Sequence, residues 1–217
     1  MGTTKDVQAA VKAELGFDSR VDSADITVTN IGGDVNLTGT VPSYPQYLEA
    51  AAAARRVVGV KTVDNNLEVV LPESDWRDDV KLTTAANNAL TDNITVPDSV
   101  EAIAEDGNIT LNGTVSYATE RAAAEAVVTG LAGVRNVSNA IDISYALDPV
   151  DVDLHVQQAL ERSALVPDGS DVTADTKDGI ITLTGHVHNW AEHDAVLVAA
   201  SMARGVIDVR DNLQVTG

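Results

Sequence analysis

The chain has 217 residues, no cysteine and a net charge of −19, which excludes disulfides and thiolate metal centres and sets its surface against nucleic-acid phosphate and anionic lipid headgroups. Hydrophobic residues make up 44% of it and aromatics only 3%, enough for folded cores rather than disorder, with those cores built from Val, Ile, Leu and Ala. Asp outnumbers Glu 23 to 10 and there are 5 Lys, a surface that gathers cations and suits a salt-rich setting.

Met1 to Asp6 runs into a helical pattern with neither a charged n-region nor an apolar h-region. No signal peptide is read there, so the expected location is cytoplasmic, or periplasmic if a leader has been removed. No run approaches 18 apolar residues, so no membrane span is expected. The first helix has Asp6 as cap and Val7, Ala10, Val11 and Leu15 on one stripe. A hairpin follows: Ile26 to Val28, a Gly32-Gly33 turn, then alternating Val35, Leu37 and Val41. An Ala-rich helix opened by Tyr44 ends near Gly59, and a last strand carries Val60, Val63, Leu67 and Val69. The linker Pro72 to Arg77 is short, and Trp76 is expected to pack between modules.

The order then repeats. The second copy has a helix from Asp78 or Asp79 to Leu90, a first strand from Val100 to Ala104, an Asp106-Gly107 turn and a strand with Ile109, Leu111 and Val115. Its second helix opens at Tyr117, with Ser116 placed four residues before Glu120, and its last strand carries Val134, Val137, Ile141 and Ile143. The third has a helix from Asp151 with Val152, Val156, Ala159 and Leu160, and a first strand Val172 to Ala174. An Asp178-Gly179 turn, a strand with Ile181, Leu183 and Val187, a helix from Trp190, and a strand through Val206, Val209, Leu213 and Val215 follow.

Three Leu-x-Gly-x-Val frames, centred on Gly39, Gly113 and Gly185, fix the register of the copies, and Gly59, Gly133 and Gly205 follow each by twenty residues. Gly39, Gly113 and Gly185 are expected at a bulge or a close helix approach, and Gly59, Gly133 and Gly205 as helix C-caps. The fold class is α+β: three tandem α-β-β-α-β modules, residues 1–71, 78–145 and 151–217. Each is a three-stranded mixed sheet covered on one face by two helices.

A helix, a Gly-bounded hairpin ending Leu-Thr-Gly-x-Val (Leu-Asn-Gly in the second copy), an Ala-rich helix, then Gly-Val-x-x-Val and Asn-x-Leu or Asn-x-Ile resembles the BON domain, over nearly the whole chain and three times. The resemblance implies a non-enzymatic protein with a stress-linked role, phospholipid binding in many members and potassium binding in one cytoplasmic relative. Phospholipid is disfavoured here by charge.

Read as an internal alignment, the repeat shows that glycine and aliphatic positions recur whereas no acid, base or nucleophile does. Catalytic residues and cofactors are therefore expected to be none. The candidate metal ligands are His186, His188 and His193, in the third copy alone; the simpler reading of that cluster is a solvated strand end. Asn65, Asn139 and Asp211 recur in kind, as Asx turns or as cation ligands. Loops Asp22 to Asp25 and Asp168 to Asp171 lack the ligand spacing of an EF-hand. The triplets Asn36-Leu37-Thr38 and Asn108-Ile109-Thr110 match a glycosylation acceptor but lie mid-strand, as chance matches do. The leading expectation is a binding module in osmotic or envelope stress with an unknown protein partner or ion. A potassium or calcium sensor or buffer is the second reading, and a peripheral phospholipid binder the third.

Overall fold

The computed structural model describes residues 4–143, 156, 158–159, 171–177, 179–203 and 206–216. The first module contains α1 (Thr4–Phe17), β1 (Ile26–Ile31), β2 (Asp34–Val41), α2 (Tyr44–Arg55) and β3 (Thr62–Val69). The second contains α3 (Asp79–Thr91), β4 (Glu101–Glu105), β5 (Asn108–Val115), α4 (Ala118–Thr129) and β6 (Asn136–Ile143). The third contains β7 (Thr173–Lys177), β8 (Ile180–Val187), α5 (Trp190–Ser201) and β9 (Asp208–Val215). Of its expected first helix, Val156 and Ala159 are described and both pack on the module's core; Asp151, Val152 and Leu160 lie outside the described residues.

Each sheet has the hairpin's second strand in the middle, antiparallel to the first strand and parallel to the last. The parallel pair needs the crossover helix, which is why an Ala-rich segment separates those strands in every copy. Alternation puts Val28, Val35, Leu37 and Val41 on the helix-covered face, where they meet Val7, Val11 and Leu15 of α1 and Ala50, Ala53 and Ala54 of α2. Removing this aliphatic surface from water is the main stabilising term, and the alanines let the helix lie close on the sheet. The opposite face carries Thr27, Thr29, Asp64, Asn66 and Glu68, all exposed.

Several expectations are corrected by the geometry. Helix α1 starts before Asp6, which is therefore inside it; Asp78 does cap α3, accepting from the Lys81 N–H at 2.9 Å. Helix α2 is capped by Arg56 and α4 by Gly130, so Gly59 and Gly133 lie beyond the caps. Their φ values of 91° and 101° show what they are for: a left-handed turn into the last strand. Gly205 lies outside the described residues. Gly39, Gly113 and Gly185 (φ 120°, 137° and 128°) mark no helix approach and no bulge against the last strand. Strand pairing runs unbroken through each, and a Cβ there would strike the carbonyl oxygen of Asp25, Ser99 or Asp171, where the first strand begins.

The modules close head to tail. Tyr44 of α2 is 6% exposed and belongs to the second module's core, and Tyr47 and Val69 bridge both cores. The second module meets the third through Ile207, packed on the same core, and Arg121 with Asp208 at 4.0 Å. The third returns to the first where Arg55 lies 5.0 Å from the Trp190 ring centroid. In each case the start of one module's second helix meets the next module, the heterologous contact that closes a ring. Trp76, expected between modules, is instead 60% exposed; the tyrosines fill that place.

Candidate functional site

His186, His188 and His193 do not converge. His186 projects from β8 and its Nδ1 lies 2.7 Å from Asp171, whose carboxylate also accepts the His186 backbone N–H at 2.9 Å. These bonds, the side-chain one foremost, hold the Asp171 carboxyl below its ordinary range. His188 follows the strand, with Nδ1 3.0 Å from Glu192. Glu192 also accepts the His188 backbone N–H, chief cause of its lowered pKa. His193 is 5% exposed in α5, with Nε2 2.8 Å from Asp211 and Nδ1 3.2 Å from Asp194. His186 and His188 thus each face one carboxylate, and His193 faces two. Among the described residues, no three His, Cys, Asp or Glu side chains are gathered as metal ligands.

The recurring Asx position has a fixed mechanical task. Asn65 Nδ2 donates to the Tyr47 carbonyl at 2.7 Å and Asn139 Nδ2 to the Arg121 carbonyl at 3.1 Å, tying the last strand to the second helix. Asn139 and Asp211 also close Asx turns on the N–H groups of Ile141 and Leu213. Asp211 has no amide to donate, so the tie is rebuilt from the other side: His193 Nε2 donates to it. Tyr47, Arg121 and His193 each precede the module's glycine by twelve (59−47, 133−121, 205−193), and the Asx follows it by six. That spacing was present in the sequence and identifies His193 as half of a structural pair. The Asp22 loop closes locally on Ala24 N–H at 3.2 Å; Asp168 to Ser170 lie outside the described residues.

The uncovered sheet faces are surfaces that the repeat presents three times. They hold Thr27, Thr29, Asp64 and Asn66 in the first module, Glu101, Glu105, Asn112 and Asp142 in the second, and Asp175, Thr184, Asn212 and Gln214 in the third. Such a surface can hydrogen-bond a partner or attract cations, and no side-chain set on it repeats in the acid, base and nucleophile roles. Among the described residues no helix is long and apolar enough to cross a membrane.

Comparison with known proteins matches the family model described as BON domain at residues 3–70, 78–145 and 151–217. The chain is 30% identical to Osmotically-inducible protein Y of Escherichia coli (strain K12) over 138 residues, 61% of this chain and 69% of that protein. Solved structures of CdsD, a structural protein of the type III secretion system of Chlamydia trachomatis, are similar at 16% and 17% identity with TM-scores of 0.27. One covers 94% of this chain and 90% of its own, the other 100% of both.

Proposed function

The chain belongs to the BON domain family in three tandem copies, and on that premise we propose that it is a stress-related, non-catalytic binding protein whose open sheet faces engage a protein partner or an ion during osmotic or envelope stress. The observation that carries this reading is the repeat itself: three modules share their cores and their polar outer faces, while no reactive set recurs. Similarity to Osmotically-inducible protein Y supports the stress context. Three weak sites joined in one chain gain through effective concentration.

The test is growth of a bacterial host, lacking its own copy, through an osmotic upshift. It is complemented with the chain or with Asn66→Arg, Ala140→Arg and Asn212→Arg, singly and together. Graded loss, complete only in the triple variant, is the expected result. Complete loss from His186→Ala or His188→Ala alone, with folding intact, would overturn it, as would full complementation by the triple variant.

A further inference from the structure

Arg55 ends α2 and Trp190 begins α5, and their side chains form the seam between the first and third modules. Each brings to that seam a buried N–H with no acceptor among the described residues, Arg55 Nε and Trp190 Nε1. Guanidinium and indole only donate, so neither group can satisfy the other. Buried donors in native structures are nearly always paired, and an orphan calls for an explanation. Here two lie together, one from each module.

Arg55 is also electrostatically unlike its neighbour. Arg56 takes Glu14, Asp18 and Glu49, whereas Arg55 has no carboxylate partner among the described residues, in a chain with 33 acidic side chains. Its guanidinium lies over the Trp190 indole face.

We propose that this seam is a site for a small oxyanion, a carboxylate or phosphate group that accepts from Arg55 Nε and Trp190 Nε1 together and neutralises the guanidinium. A planar guanidinium fork matches such a group, and the stacked indole already holds it in place. The donors belong to different modules, so occupancy draws the third module onto the first, and ring closure and ligand binding are one linked event. This assigns a ligand class and a place that the sheet-face reading above does not require.

The test is an amide and side-chain nitrogen–proton correlation spectrum of the full chain, with sodium acetate, sodium phosphate and sodium chloride added at matched ionic strength. The chain has two tryptophans, and Trp76→Phe assigns the indole peaks; exposed Trp76 is the internal reference in the parent. Acetate or phosphate should displace the Trp190 indole peak and the Arg55 Nε peak saturably, identifying which oxyanion fits, while Trp76 follows the chloride control. Arg55→Lys, which keeps the charge but not the fork, should lose the saturable displacement. Equal movement with chloride, linear movement without saturation, or retention in folded Arg55→Lys overturns the site in favour of screening or water. The Arg55 Nε peak in the parent decides the matter if the variant does not fold.

Discussion

Alanine substituted for glycine at two positions of the second module should change stability with opposite signs. Gly113 sits at φ 137°, a region open essentially to glycine, and an added Cβ would strike the Ser99 backbone carbonyl. Holding a side chain at such a φ costs about 1–3 kcal/mol. Relieving the clash moves the start of β4 and breaks the Ser99 Oγ bond to the Thr114 carbonyl, 2.6 Å long, worth about 1 kcal/mol. Gly113→Ala should therefore cost about 2–4 kcal/mol, which for a module of this size lowers its Tm by roughly 8–32 °C. Gly130 caps α4 at φ −86°, with no atom within 4 Å of an added Cβ. Gly130→Ala should stabilise by about 0.4–1 kcal/mol, through the unfolded chain. Differential scanning calorimetry of both variants reads the difference within one module. A loss below about 1 kcal/mol for Gly113→Ala, or a larger loss for Gly130→Ala, would refute the assignment of backbone roles.

Three further outcomes are expected. His193→Tyr with Asp211→Asn rebuilds the pair of the first module, where Asn65 Nδ2 donates to the Tyr47 carbonyl and the Tyr47 hydroxyl donates to the Asn65 carbonyl; urea unfolding should find the double variant more stable than either single one, and additive losses would deny the exchange. Tyr44→Ala empties a place in the second module's core at a cost of about 3–5 kcal/mol. It should split the calorimetric transition, and one unchanged peak would show that the seam does not couple the modules. Arg20 and Arg56 hold the Asp18 carboxyl well below its usual range, the Arg20 side-chain bond being the largest cause. A depressed carboxyl contributes stability above its unfolded pKa and loses it as pH falls through the folded one. The parent's Tm should therefore fall in acid below about pH 4 more steeply than that of Asp18→Asn; parallel curves would remove Asp18 from the acid response.

The repeat makes most of the architecture legible in the sequence. Alternation in Val35, Leu37 and Val41 placed a strand, the turn dipeptides placed hairpins, and the strand–helix–strand order required a crossover. These are local signals, each set by backbone preference within a few residues. The glycine roles were legible only in part. A glycine in a strand announces an unusual backbone, but whether a helix, a bulge or a strand's lead-in approaches it depends on residues such as Ser99, fourteen positions away. The histidines part for the same reason: His186, His188 and His193 are close in sequence, yet a strand end and a helix turn send them to different carboxylates.

Sequence alone determined that three similar α+β modules form, because hydrophobic period and turn chemistry act over short range and are written three times. Tertiary structure decided how they meet: Tyr44 leaves its own module's core for the next one, Arg55 finds no acid but an indole, and Asp211 recruits His193. Those contacts join residues from 18 to 135 positions apart, and which side chains face one another at that range is fixed only when the modules pack.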